Sequence, residues 1–379
     1  MQKTFAALRA ELMSRFPERA SVIDGSLAAV LAGEHVLLVG PPGTAKSALV
    51  RALAQAFGGS YFERLLTKFS TPEELFGPVS LKGLEQDKFT RVTTGMLPTA
   101  EFAFVDEVFK ANSAILNSML TLINERTYSN GGAPLPVPLV AMFGASNELP
   151  EGKELEALFD RFALRFQVDY LLRPQNLKDV LVASEPKLTN VLDMKTLRAA
   201  QAEVQKVKLT DATVDALIAV RDALKAEGII ASDRRWKKSL RLVQATAWMA
   251  GEKQTTPEDL TLLVDALWRE PKERAKVAKL VGQLADPASV QAAEVMDAAN
   301  EIALKIAGQK SGDRKMYIAA CAQGLDQYQQ QVTKLEKLEK SAGRRAKATI
   351  EASLADIRSL HEDLARTVST GLGLRRTGS

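Results

Sequence analysis

Four consecutive apolar residues, Val36-Leu37-Leu38-Val39, run into a glycine-proline turn at Gly40–Gly43. A short run without polar alternation predicts a strand buried on both faces. The same signature recurs at Glu101–Val105 and at Leu139–Gly144. Helical spacing fills the intervals. Phe5, Leu8, Leu12 and Phe16 fall on one face, and Val22–Leu31 predicts a second helix that stops at Gly33. Ser47–Phe57 predicts a third, closed by Gly58-Gly59, and Ile115–Ile123 a further one. Strands that alternate with helices predict a parallel, doubly wound α/β sheet. Such sheets bind ligands at the carboxyl ends of their strands.

The strand signature ends near Asn176. Residues 176–270 read as helices with a break at Gly228, and residues 271–379 as helices rich in Ala, Lys, Glu and Gln. Leu335 and Leu338 precede the turn Ser341-Ala342-Gly343. Leu354, Ile357, Leu360, Leu364 and Val368 follow at intervals of three or four. This spacing predicts two antiparallel helices joined near Gly343. The tail Gly371–Ser379, with Arg375-Arg376, is expected to be disordered. No internal repeat is seen.

Composition narrows the function. The 379 residues are 46% hydrophobic and 25% charged, as in ordinary soluble domains, and suffice for two or three of them. Net charge is +4 and the pI about 8.9. Because Lys and Arg are interleaved with Asp and Glu, this reads as a solvated surface before a nucleic-acid face. The single cysteine, Cys321, excludes a disulfide framework and sits in an apolar stretch that predicts burial. His35, before the first strand, reads as structural or surface; it and His361 lie too far apart to suggest zinc. No segment reaches the ~18 apolar residues of a membrane span. Met1–Phe16 reads as an amphipathic helix and not a signal peptide, so a cytoplasmic setting is the default.

Gly40-Pro41-Pro42-Gly43-Thr44-Ala45-Lys46-Ser47 matches the phosphate-loop pattern G-x-x-x-x-G-K-[ST] with one substitution, Ala45 for glycine. The essential chemistry survives it. Successive backbone N–H groups and a helix N-terminus make an anion nest. Lys46 offers a point charge to β and γ phosphates, and Ser47 a hydroxyl to Mg²⁺. The bland alternative is a Gly/Pro turn ahead of a helix. Strand before and helix after favour ATP.

Phe102-Ala103-Phe104-Val105-Asp106-Glu107 is an apolar strand that ends in two carboxylates. Acidic strand ends are common at surfaces. After a phosphate loop, though, Asp106 is expected to serve the Mg²⁺ shell and Glu107 to polarise the attacking water. Asn147, at the end of the third apolar strand, either orients that water or is a turn residue. Arg161 in Leu158–Arg165 either acts on a neighbouring subunit's nucleotide or forms a surface salt bridge. Arg234 in Ser232-Asp233-Arg234-Arg235-Trp236 could reach the γ-phosphate from a lid; surface charge is its bland alternative. Ser232 is a plausible N-cap.

The order of these motifs resembles the MoxR branch of AAA+ ATPases, and within it the RavA group. The resemblance covers residues 1–270. It rests on the strings Phe69–Pro78, Leu122-Ile123-Asn124-Glu125-Arg126, Ala145–Pro150 and Ser232–Lys238. It implies a nucleotide-binding core over residues 1–172, an all-α lid over 173–270 and a helical C-terminal region over 271–379. It also implies that Asn147 is sensor 1, Arg161 the arginine finger and Arg234 sensor 2, with Arg235 and Arg241 as competitors for the last role. Gly77–Leu97 would hold the helix-2 insert, a hairpin, and Tyr128–Pro138 a second hairpin turning at Asn130-Gly131-Gly132. Such proteins form hexameric rings that remodel protein complexes with ATP and Mg²⁺. Many act with a partner bearing a von Willebrand factor A domain. A nucleic-acid-stimulated motor and a nucleotide-switched scaffold are the competing readings. Lys82, Lys88 and Arg91 alternate with Glu85 and Asp87, which counts against the first. Glu107 counts against the second. The protein substrate is not legible.

Overall fold

Five short strands form one parallel sheet: β1 (Val36–Val39), β2 (Tyr61–Leu65), β3 (Phe102–Asp106), β4 (Ala141–Ser146) and β5 (Leu164–Gln167). Their order is β2-β3-β4-β1-β5. The computed structural model describes residues 1–132, 134–182, 188–309 and 313–371, so the tail expected to be disordered lies outside the described residues beyond Gly371. β1, β3 and β4 are the three apolar runs, each central or flanked on both sides, and their side chains are buried almost throughout. β3 and β4 begin one and two residues later than the pattern predicts.

The pattern did not predict β2 and β5, and both lie at edges of the sheet. Edge strands face water on one side and carry charge. Glu63 of β2 pairs with Arg51 at 2.8 Å. In β5 the charge is internal: Arg165 is only 1% exposed. Its guanidinium lies 3.9 Å from the Phe159 ring centroid and donates to the Trp268 carbonyl. Burial, with repulsion from Arg235, holds Arg165 well below the usual arginine range.

Helices α1 (Gln2–Arg15), α2 (Ala20–Ala32), α3 (Lys46–Phe57) and α4 (Ser113–Glu125) belong to the layers around the sheet. α2 is apolar on nearly every face and buried along its length, as a helix enclosed by others must be. It ends at Gly33, in the left-handed conformation at φ 68°. His35 is fully buried: Nδ1 accepts from the Met142 N–H at 2.9 Å, and Nε2 lies 3.2 Å from the Ile123 carbonyl. It is a structural residue that joins β1 to β4 and α4. Helices α5 (Met194–Val204), α6 (Asp211–Ala226) and α7 (Asp233–Met249) follow the sheet, each N-capped by a side chain, Asp193, Thr210 and Ser232 respectively.

The two inserts differ from one another. Thr127–Ser129 and Pro134–Pro136 pair as an antiparallel hairpin. Gly77–Leu97 forms no strand pair. It has a single antiparallel bridge, Val79 to Arg91, around a one-turn helix, Leu81–Leu84. The Asn130 side chain clamps Arg91 by accepting from its N–H (2.6 Å) and donating to its carbonyl (3.0 Å), so the hairpin turn supports the insert.

The chain divides into two compact units, residues 1–215 with 224–277, and residues 216–223 with 278–379. The second contains α8 (Pro287–Gln309), α9 (Arg314–Ser341) and α10 (Arg344–Gly371), which meet around a core that includes Ala299, Tyr328, Leu335, Ile350 and Ile357. Cys321 is buried in it. Gly324 lets two large side chains close in, since a Cβ there would lie 2.5 Å from Ile306 and 2.9 Å from Leu364.

Candidate functional site

β1 delivers the chain to the glycine-proline loop, and α3 leads away from it. Gly40 fits where no other residue would: a Cβ there would lie 2.1 Å from the Val168 carbonyl oxygen. The Gly40 N–H donates to the Ser146 carbonyl at 2.9 Å, so the loop begins bonded to the end of β4. Ala45, which replaces the pattern's glycine, adopts the left-handed conformation at φ 64°. That conformation carries a cost of roughly 1 kcal/mol for a residue with a Cβ. α3 starts at Lys46, so the first N–H groups of the helix open onto the loop.

Lys46 Nζ donates to the carbonyls of Gly40 (2.8 Å) and Pro41 (2.7 Å). The Thr44 hydroxyl donates to the Pro41 carbonyl at 3.0 Å, which fixes the loop's curvature. Burial lowers the Lys46 pKa, while the negative charges of Asp106 and then Glu107 oppose the shift. The ammonium therefore feels both carboxylates at the end of β3. The Glu107 N–H donates to Asp106 Oδ1 at 3.0 Å. Glu107 is left-handed at φ 52°, a strained setting, and its carboxylate lies 3.3 Å from Lys110 Nζ. Asn147 follows β4 with an exposed side chain, next to Ser146, whose carbonyl holds Gly40. One end of the sheet thus brings together the Gly40–Ser47 loop, Asp106, Glu107 and Asn147.

Arg161 and Arg234 stand apart from this group. Arg161 follows the helix Lys153–Phe159. It makes no ion pair among the described residues, and its buried Nε has no hydrogen-bond partner. Of the two readings of Arg161, the surface salt bridge to a neighbouring acid is not formed among the described residues. Arg234 is exposed in the first turn of α7. Its neighbour Arg235 is 4% exposed and wholly engaged: it pairs with Asp160 Oδ1 at 3.1 Å and donates to the carbonyls of Asp160, Phe162, Ala163 and Ala266. Arg235 is a structural bolt and is withdrawn from any phosphate. Arg241 is exposed on α7 beside Arg126 and Arg198, in a cavity at the other end of the sheet.

The motifs gave no sign of a small apolar void, about 10 Å³, beside the loop. Phe16, Arg19, Val22, Leu38, Leu49 and Val168 line it together with Thr44–Lys46. Arg19 at its rim donates to the Asp169 carbonyl. Only chain segments remote in sequence create this void. Phe16 was legible merely as part of an amphipathic helix.

Comparison with known proteins agrees with this geometry. Residues 3–209 match the family described as the MoxR domain in the MoxR-vWA-beta-propeller ternary systems, and residues 212–281 match an AAA lid domain. An uncharacterised protein of Methanocaldococcus jannaschii is 46% identical over 273 residues, 72% of this chain and 73% of that protein. Chaperone MoxR1 of Mycobacterium tuberculosis is 28% identical over 155 residues, 39% of this chain and 40% of its own. The crystal structure of a Cytophaga hutchinsonii protein, designated only as a candidate ATPase, superposes with a TM-score of 0.62 at 19% identity. It covers 75% of this chain and 93% of its own, and supports the fold alone.

Proposed function

The chain belongs to the MoxR family of AAA+ ATPases, and from that premise we propose that it hydrolyses ATP to ADP and phosphate to drive remodelling or assembly of protein complexes. One observation carries the catalytic part. Lys46, in a loop built for an anion, opens the helix at the same end of the sheet as the two carboxylates that end β3, with only β4 between β3 and β1.

The backbone N–H groups of Gly40–Ser47 would cradle the phosphates. Lys46 would leave its loop carbonyls for the β and γ oxygens. Ser47 and Asp106 offer a hydroxyl and a carboxylate, hard oxygen donors that suit Mg²⁺. Among the described residues no cluster of three or more His, Cys, Asp or Glu is present, which fits an ion shared with phosphates and water. When bound, that ion supplies charge neutralisation on the phosphoryl oxygens. Glu107 takes the proton of the attacking water, and Asn147 holds that water in line. Arg161, which makes no ion pair among the described residues, acts as a finger on the neighbouring subunit's nucleotide, and Arg234 acts from the lid.

Such a finger requires a neighbouring subunit, and we read the assembly as a homohexameric ring in the cytoplasm. The strings at Phe69–Pro78 and Ser232–Lys238 favour kinship with the RavA group, and the matched family's own description favours a partner with a von Willebrand factor A domain. The nucleic-acid motor gains no support, because Arg91 of the insert is paired with Glu73 at 2.8 Å.

The test uses two variants. Glu107→Gln should bind ATP normally and turn it over at least about 10²-fold more slowly. Lys46→Ala should lose nucleotide affinity. Lys46→Ala protein that binds and cleaves ATP like the parent would refute the site.

A further inference from the structure

At the end of the sheet opposite the loop lies a cavity of about 290 Å³. The chain segments around it, Gly33 and Val137–Val140, precede β1 and β4, whereas the loop and the Asp106 pair follow strand ends. Three arginines meet there: Arg126 at the end of α4, Arg198 on α5 and Arg241 on α7. Gln201 and Gln205 complete the polar wall, and no Asp or Glu lines it.

Arg126 is the built part. It is left-handed at φ 56° and mostly buried. Its guanidinium donates to the carbonyls of Gly33 (2.5 Å), Leu139 (2.9 Å) and Val140 (3.4 Å). Carbonyl dipoles hold the group in place but leave its charge uncancelled. Burial lowers Arg126 to about 10 against the opposing pull of Glu34, and Arg198 repels it further. Glu34 is itself committed to Lys238 Nζ at 2.6 Å. Arg198 donates to the Pro138 carbonyl (3.1 Å) and to Gln201 Oε1 (3.2 Å), again with no carboxylate. Arg241 has no ion pair among the described residues. A buried cation without a counter-charge is costly, and like charges gathered in one cavity raise that cost. An anion bound there would relieve that cost.

We propose that this cavity binds a small polyanion carrying phosphoryl groups. Planar guanidinium forks suit phosphoryl oxygens. The volume is near the lower bound for small-molecule sites, so the ligand is compact. Arg126 comes from the sheet layer, and Arg198 and Arg241 from the helices after it. A bound anion would therefore tie α5 and α7 to the core, and the site would govern how freely those helices move through the nucleotide cycle.

The test takes full-length protein carrying Lys46→Ala, in EDTA, so that the ATP loop does not compete. Inorganic pyrophosphate is titrated by calorimetry, with citrate as the carboxylate control. Pyrophosphate should bind at one site and raise the Tm. Arg198→Ala/Arg241→Ala, which alters two exposed side chains, should weaken that binding at least tenfold while the unliganded Tm does not fall. No binding to the Lys46→Ala protein, or equal affinity in the triple variant, overturns the site. Citrate binding as tightly as pyrophosphate overturns the phosphoryl assignment.

Discussion

Two adjacent arginines at the start of α7 show how one position alters a residue's task. Arg234 and Arg235 have the same side chain, and spacing along the sequence does not separate them. The fold does: Arg235 points inward to Asp160, 75 residues earlier in the chain, and Arg234 faces solvent. Removing Arg235 would deprive four carbonyls of this donor and leave the Asp160 carboxylate with only Ser232 Oγ at 3.3 Å and Arg165 at 3.8 Å. Arg235→Ala is therefore expected to lose about 3–5 kcal/mol of stability in urea denaturation. Arg234→Ala should stay within about 0.5 kcal/mol of the parent and slow ATP turnover while sparing ATP binding. An Arg235→Ala protein as stable as the parent would sink the structural assignment. The same contrast explains what was legible. The loop Gly40–Ser47 and the pair Asp106-Glu107 were readable because each is contiguous. The role of Arg235 depends on a partner that only folding brings near, and the buried Arg165 looks from sequence like a surface charge.

At the scale of elements, apolar runs revealed the three interior strands and missed the two at the edges, where charge is tolerated or specifically accommodated. The contacts that tie segments together were likewise hidden. Glu18, left-handed at φ 59° between α1 and α2, accepts from the N–H groups of Leu172 (2.8 Å) and Arg173 (2.9 Å) and from Asn176 Nδ2 (2.8 Å). Glu11 of α1 does the same for Thr189 and Asn190. One carboxylate of α1 and one of the α1–α2 turn therefore hold the chain on its way from β5 to α5. Backbone donors lower both groups to about 2 from an ordinary 4.5. The folded values are depressed, so this contribution is complete above the unfolded pKa and is lost as pH falls from 4.5 towards 2. Glu18→Gln should raise hydrogen exchange at the Leu172 and Arg173 amides at pH 7. It should also flatten the fall of Tm across that acid window. Unchanged protection at both amides would show that Glu18 does not hold the segment.

For the whole molecule, the question is whether the site is complete within one chain. The loop, Asp106, Glu107 and Asn147 share one end of the sheet, whereas Arg161 lies after the helix Lys153–Phe159 and before β5 begins. Its guanidinium has no ion pair among the described residues, and its Nε is buried without a partner. A cation left in that state suits a phosphate supplied by another copy of the chain. Arg161→Ala should bind ATP like the parent and lose about 10³-fold or more in turnover. Glu107→Gln should be inactive for a different reason, since it keeps its arginine and lacks its base. If the finger acts between subunits, the two inactive proteins rescue each other. In mixed rings, an Arg161→Ala subunit with an intact base receives the arginine of a Glu107→Gln neighbour, and ATPase activity returns. If the arginine served its own nucleotide, every site in the mixture would lack one group or the other, and the mixture would stay as inactive as its components.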